Sequence, residues 1–292
     1  MTLNVVPASP SAVLLISCPD RRGLAAAVTD FIFRNNGNIL HLDQHVDAQQ
    51  NVFFMRVEWD LQGFAIERSE ILAAFTGQVG EAFAMHCEIH FSDTAPRMAI
   101  FVTKESHCLY DILSRVQAGE WRVDVPMLIS NHPDLGEIAH KFGVNYRVFA
   151  INKENKLKQE QKQIAVLREQ EIDFIVLARY MQVLSENFVS QFPNRIINIH
   201  HSFLPAFPGG QPYHKAYNRG VKLIGATSHY VTSELDAGPI IEQEVIRINH
   251  KDSVEDLIRK GKDVEKLALS RAIRYHLQHQ ILVYGNKTVI FA

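Results

Sequence analysis

Residues 12–17 form a continuous apolar run that stops at Cys18-Pro19-Asp20-Arg21-Arg22-Gly23, after which Leu24, Ala27, Val28, Phe31 and Ile32 recur at helical spacing. This pattern predicts a strand, a turn and a helix that Asn36-Gly37 closes. Residues 38–46 and 52–59 predict two strands about a turn at 47–51, with Phe53, Met55 and Val57 alternating. A helix over 67–79 carries Ile71, Leu72 and Phe75 on one face, and a strand over 84–91 alternates through Met85, Cys87, Ile89 and Phe91. The order βαββαβ is the ferredoxin-like split βαβ unit, so residues 1–92 are expected to form a small domain of their own.

The pattern changes after the short polar, proline-containing segment Ser92-Asp93-Thr94-Ala95-Pro96-Arg97. Strands are predicted over 98–103, 125–130, 147–150, 174–178 and 196–199, and helices over 109–118, 135–142, 157–170 and 255–284. Strands alternating with helices imply an open, mostly parallel α/β sheet with right-handed crossovers, here over 98–292. Neither GxGxxG nor GxxxxGK[ST] occurs, so no nucleotide-binding motif accompanies that architecture.

Composition narrows the partner. With 292 residues and 47% hydrophobic positions the chain fills one large and one small domain. A net charge of −2, without long basic or acidic runs, lacks the footprint of a nucleic-acid binder and points to a small molecule. The N-terminus has no basic start and no stretch approaches the ~20 apolar residues of a membrane span, so the expectation is a cytoplasmic protein without membrane contact. Cys18, Cys87 and Cys108 are odd in number and scattered, which predicts buried thiols and neither a disulfide framework nor a zinc knuckle.

The densest candidate chemistry lies in residues 195–210, RIINIHHSFLPAFPGG. Ile196, Ile197 and Ile199 read as a short buried strand, and ligands of open α/β sheets gather at strand carboxyl ends. Asn198 and His200 are two residues apart, so in an extended segment both side chains leave on one side and can converge on one atom. Pro205 and Pro208 fix φ in the following loop, and Gly209 and Gly210 allow a sharp turn or close approach to a ligand. Downstream, Asp236-Ala237-Gly238-Pro239 is a turn by composition, and its carboxylate either caps backbone amides or points into a site. Taken alone, the histidines of the loop also fit surface positions, and His229 also fits a satisfied core histidine. A zinc hydrolase would have only the scattered imidazoles of His200, His201, His214 and His229, with no HExxH helix or thiolate pair, so no metal is expected.

Two resemblances sharpen this reading. The element order of the first half, with Asp20-Arg21-Arg22-Gly23-Leu24 opening its first helix, resembles the ACT domains. That resemblance implies either an amino-acid effector held near Asp20, Gly23 and Leu24, at the anion-friendly end of a helix, or dimerisation alone. Asn198-x-His200, Leu204-Pro205, His229 and Asp236 ahead of Gly238-Pro239-Ile240 resemble the folate-dependent formyltransferases of the glycinamide ribonucleotide transformylase family, over roughly residues 98–246. Within that family, His200-His201-Ser202-Phe203-Leu204-Pro205 and the ACT-like half are most similar to the branch that hydrolyses 10-formyltetrahydrofolate, and His201 stands where the transformylases carry proline. Gly209-Gly210-Gln211 departs from the family pattern.

The resemblance implies a folate substrate, no separate cofactor, and a homo-oligomer. It implies that Asn198 and His200 stabilise the oxyanion and that Asp236 activates or orients water, with His229 in support. Residues 177–184, LARYMQVL, match the segment that meets the pterin ring, implying backbone amides at its polar edge, apolar contact from Met181 and Val183, and polar support from Arg179. A transformylase would also need a glycine-rich phosphate cradle after the first strand of its sheet. Thr103-Lys104-Glu105-Ser106-His107-Cys108 stands there instead, without glycine and with a carboxylate that repels phosphate. Water is then the expected acceptor; the alternatives are phosphoribosylglycinamide formyltransferase and a non-catalytic amino-acid-sensing protein.

Overall fold

The apolar run after Ser11 pairs on both sides with other strands, which explains why it is buried almost throughout. The computed structural model describes residues 9–205 and 212–292. Pro208, Gly209, Gly210 and Gln211 of the proline loop lie outside the described residues.

The first unit runs β1 (Ser11–Pro19), α1 (Leu24–Arg34), β2 (Asn38–Asp47), β3 (Val52–Asp60), α2 (Ile71–Phe75), α3 (Glu81–Phe83) and β4 (His86–Phe91). Its sheet is antiparallel in the order β2-β3-β1-β4. One face packs Leu14, Ile16, Met55, Val57 and Trp59 against Val28, Phe31 and Ile32 of α1 and against Ile71 and Phe75. The helix expected over 67–79 is broken up: a 3₁₀ turn, Arg68–Glu70, precedes α2, and a π-helical turn, Thr76–Gly80, separates it from α3. Ala84 then takes φ 51°, which ends the helix and delays β4 to His86.

The second unit continues with β5 (Arg97–Val102), α4 (His107–Gln117), β6 (Asp124–Ser130), α5 (Gly136–Lys141), β7 (Asn145–Val148), α6 (Lys156–Glu169) and β8 (Phe174–Leu177). It then runs α7 (Glu186–Val189), β9 (Ile196–His200), α8 (Pro212–Arg219), β10 (Leu223–Tyr230), β11 (Ile240–Arg247) and α9 (Val254–Leu277). The sheet order is β11-β10-β9-β8-β5-β6-β7. Strands β5 to β9 are parallel; β8 in the interior of the sheet is buried on both faces and reads as an apolar run, Phe174–Leu177, whereas the edge strand β7 is half-buried to exposed.

The sheet is mostly parallel, as expected, with β10 pairing antiparallel with both β9 and β11. One further expectation needs correction. The helix expected to reach residue 284 stops at Leu277. His279 adopts φ 50°, a left-handed conformation that closes a helix, and the β-branched, apolar stretch after it forms β12 (Ile281–Tyr284), paired with β13 (Lys287–Ile290).

Chain contacts group the polypeptide up to Thr94 with Gln278–Leu282 and Val289–Ala292, and Ala95–Leu277 with Val283–Thr288. Among the described residues no helix is long and apolar enough to cross a membrane. In the second unit, chain order turns at β5, which has β6 on one side and β8 on the other. A switch of this kind opens a crevice outside the carboxyl ends of the two strands. The segments that begin there are 103–106 and 178–185.

Candidate active site

Strand geometry sets the first pair. Asn198 and His200 share a face of β9, and the antiparallel register brings His229 directly opposite Asn198 and Thr227 opposite His200. The β10–β11 register shifts between Ser228 and His229, a bulge of the kind that re-aims a side chain. His229 Nδ1 lies 2.9 Å from the Tyr230 carbonyl oxygen, and its Nε2 lies 3.2 Å from Asn198 Nδ2. The carbonyl only accepts, so Nδ1 carries the proton. Burial lowers the pKa of His229, with the hydrogen bond to Tyr230 opposing it, and the neutral ring accepts at Nε2 from the Asn198 amide. His229 thereby fixes which end of the Asn198 amide donates and leaves one N–H free for a ligand.

The second pair depends on a turn. Gly238 lies so close to β10 that a Cβ would stand 1.9 Å from the Tyr230 carbonyl oxygen, and Tyr230 N–H donates to the Pro239 oxygen at 2.9 Å. Asp236 takes φ 55°, a region that Asp tolerates better than most residues. Its Oδ2 lies 3.2 Å from His200 Nδ1 and its Oδ1 lies 3.8 Å from His229 Nε2. The His200 hydrogen bond, together with the neighbouring imidazoles, holds the Asp236 carboxyl below its ordinary range against the opposing effect of burial. His200 Nε2 is buried and has no hydrogen-bond partner among the described residues. An unsatisfied buried nitrogen calls for an explanation, and a reacting ligand supplies one.

These groups line a cavity of about 220 Å³ together with residues 177 and 179–184. Met181 and Val183 are 55% and 52% exposed, so their apolar surface is available to a ligand. The Met181 N–H, however, donates to Thr103 Oγ1 at 3.0 Å, and Thr103 in turn donates to Asn131. That amide positions the segment and is not free for a pterin edge. The following loop is fixed from β10 and β11: Leu204 N–H donates to Thr227 Oγ1 at 3.0 Å, Thr227 donates to the Ser202 carbonyl, and Gln243 donates to the Leu204 carbonyl. His201 also lines the cavity, and burial, with Arg179 and His200 nearby, pushes its pKa down to about 4.

Arg179, from the same cavity-lining segment, reaches α9. Its Nε is 3.4 Å from Oε2 of Glu265, a carboxylate that sequence reasoning missed. Glu265 lies on the buried stripe of α9 with Val264, Ala268 and Leu269, and an acid inside such a stripe was the signal to notice. His107, Cys108 and Glu265 hold potential metal-ligand atoms within 4.8 Å of one another, but the Arg179 cation stands against the same carboxylate oxygen. The thiol is also poorly disposed, because burial raises the pKa of Cys108 well above its ordinary value. In the first unit Asp20, Gly23 and Leu24 share the β1–α1 turn. Gly23 takes φ 92° just before α1, Leu24 is buried, and Asp20 N–H donates to the Asn51 carbonyl at 3.0 Å.

The family models agree with this division: residues 12–76 match the ACT domain and residues 96–273 match the formyl transferase family. The chain is 55% identical to a formyltetrahydrofolate deformylase from Synechocystis sp., over 97% of this chain and 99% of the relative. Its fold matches the crystal structure of a formyltetrahydrofolate deformylase from Pseudomonas syringae with a TM-score of 0.95 and 41% identity, covering 99% of this chain and 96% of that one. Glycinamide ribonucleotide transformylase 1 from Symbiobacterium toebii matches with a TM-score of 0.65 and 30% identity, covering 70% of this chain and 97% of that one. With full-length identity to the first two and only partial coverage by the third, the chain belongs to the formyltetrahydrofolate deformylase family.

Proposed function

We propose that the protein hydrolyses 10-formyltetrahydrofolate to formate and tetrahydrofolate, with water as the acceptor at the Asn198, His200 and Asp236 constellation. The observation that carries this is the convergence of a free Asn198 N–H, an unpartnered His200 Nε2 and an Asp236 carboxylate on one cavity. Water attack on the formyl carbon creates a tetrahedral oxyanion. The Asn198 amide and His200 are aimed to stabilise the charge where it develops, an effect worth about 10²–10³ in rate per donor. Asp236 orients or deprotonates the water and holds His200 in position. Collapse breaks the bond between the formyl carbon and N10, and N10 takes up a proton. Met181 and Val183 offer apolar surface to the pterin, and Arg179 and His229 hold the wall and the amide.

The rest of the reading follows the same materials. The ACT match supports an amino-acid effector at the Asp20–Leu24 turn and assembly into a homo-oligomer. The three cysteines are free, which suits the reducing cytoplasm. The test is a stopped assay of purified protein with 10-formyltetrahydrofolate and no acceptor, following formate and tetrahydrofolate. Equimolar release of both is expected. Release only after glycinamide ribonucleotide is added would replace the hydrolase reading with a transferase.

A further inference from the structure

Beside the catalytic groups lies a second polar cluster that the steps above do not use. Glu265 is 1% exposed and has both oxygens engaged: Tyr213 donates to Oε1 at 2.6 Å, and His107 Nε2 lies 2.8 Å from Oε2. Burial pushes this carboxyl up, but the His107 hydrogen bond, the Arg179 charge and the Tyr213 hydroxyl outweigh it and hold it ionised. Arg179 flanks the same Oε2, and its Nε and Nη1 are buried without a hydrogen bond among the described residues. Near Glu265 on α9, Lys262 holds Glu105 at 2.7 Å. The cluster reaches the catalytic site through His201, whose ring centroid is 5.2 Å from that of His200 and 6.3 Å from that of Tyr213.

Two backbone features are committed to this cluster. Arg179 sits at φ 62°, a conformation that costs a non-glycine residue about 1–2 kcal/mol and persists only where the surroundings enforce it. Gly261, on the Glu265 side of α9, makes room for the tyrosine: a Cβ there would lie 2.1 Å from the Tyr213 hydroxyl. The cluster draws on the segments after β5 and β8, the carboxyl ends that flank the switch-point crevice.

A formyl group passes to an amine only if the acceptor finds space and matching charge beside the reacting carbon. On this flank the chain has supplied both itself. Lys262, which would attract a phosphate, is neutralised by Glu105, and Glu265 already pairs with the charge of Arg179 and engages His107 and Tyr213. With each cation offset by a carboxylate, this flank offers no unpaired positive charge to an anionic acceptor, whereas water is small and neutral and needs none. We infer that the Arg179–Glu265–His107–Tyr213 cluster, with the Glu105–Lys262 pair, is the acceptor filter that restricts this site to water. The inference rests on the hydrolytic reading and names the residues that enforce it; Arg179 acts as a specificity-determining residue.

The test reads the partition of one formyl donor. Arg179→Gly removes the side chain and suits the positive φ; Glu105→Gly frees Lys262 at a half-exposed position. Each full-length variant is given 10-formyltetrahydrofolate with either glycinamide or glycinamide ribonucleotide, and formate and N-formyl product are measured in the same tube. In the transfer the amine nitrogen bonds the formyl carbon, the bond to N10 breaks, and the amine proton passes to N10. The ratio of N-formyl product to formate should rise about tenfold or more with both acceptors in Arg179→Gly, and with the phosphorylated acceptor alone in Glu105→Gly. A ratio within twofold of wild type in folded variants overturns the inference. So does a variant that binds tetrahydrofolate but makes neither product. Should Arg179→Gly fail to fold by circular dichroism, Glu105→Gly decides alone. A wild-type protein that releases no formate without an acceptor would instead sink the hydrolytic reading, a result distinct from an unchanged ratio.

Discussion

At the scale of single residues, the site is a set of directional hydrogen bonds in which each group sets the state of the next. Asp236 holds His200 through Nδ1, and His229 sets the Asn198 amide by accepting from it. Asn198→Ala and Asp236→Asn are each expected to lower kcat by about 10² or more while leaving folate binding within a few-fold, since both act on the transition state. Equal losses in kcat and in substrate affinity would assign them to binding. His229 gives a finer test. His229→Gln retains a carbonyl that can accept from Asn198, whereas His229→Leu does not, so the glutamine variant should keep more activity; equal activities would remove His229 from the positioning role. Asn198, His200 and Asp236 were singled out by the resemblance of their combination to a family motif, since each alone also fitted a surface or capping role. The partners of Glu265 were not legible: His107, Arg179 and Tyr213 come from three distant segments, and no local spacing joins them.

Elements explain why those residues meet. The turn that carries Asp236 packs its Gly238 onto β10 without room for a side chain. Gly238→Ala should therefore cost on the order of 1–3 kcal/mol and displace Asp236, seen as a lower unfolding midpoint together with reduced kcat. Gly77→Ala is the matching control, because a Cβ there meets nothing within 4 Å, and stability should be unchanged or slightly raised. A Gly238→Ala protein with wild-type stability and rate would contradict the packing account. The sequence-level errors also belong to this scale. Periodicity carried the last helix past Leu277 because the run Ile281-Leu282-Val283 is equally apolar in either period, and only the left-handed turn at His279 separates them. Alternation of strands and helices predicted parallel pairing, and it held through β9. Beyond it β10 pairs antiparallel with β9, so the antiparallel part of the mostly parallel sheet accompanies the site itself.

For the whole molecule, burial of titratable groups ties stability to pH. His201 is pushed down to about 4 from an ordinary 6.5, so the unfolded chain binds a proton before the folded one does. Its contribution is complete above pH 6.5 and is lost progressively as pH falls toward about 4; His229, also lowered, acts in the same direction. Asp236 and Glu265 are depressed carboxyls, and their contributions are lost only further down, below their unfolded values and through their lower folded ones. Acid destabilisation should begin with the histidines. Thermal unfolding between pH 7 and 4 should show a shallower decline for His201→Asn than for the wild type; parallel curves would mean that His201 is not the group excluded from protonation. The division into an ACT-like and a formyltransferase-like half was visible in the change from βαββαβ order to strand–helix alternation around residues 92–97. The hydrolytic outcome was visible only by contrast, in the missing glycines of 103–108 and in His201.

The central claim is that water attacks the formyl carbon at the Asn198, His200 and Asp236 site. Formate released from 10-formyltetrahydrofolate in ¹⁸O-enriched water tests it most directly by mass spectrometry. The account predicts one labelled oxygen per formate in the wild type, in the absence of any acceptor, and a rate at least about a hundredfold lower in Asp236→Asn. Formate without label, or labelled formate produced at the wild-type rate by Asp236→Asn, would contradict it.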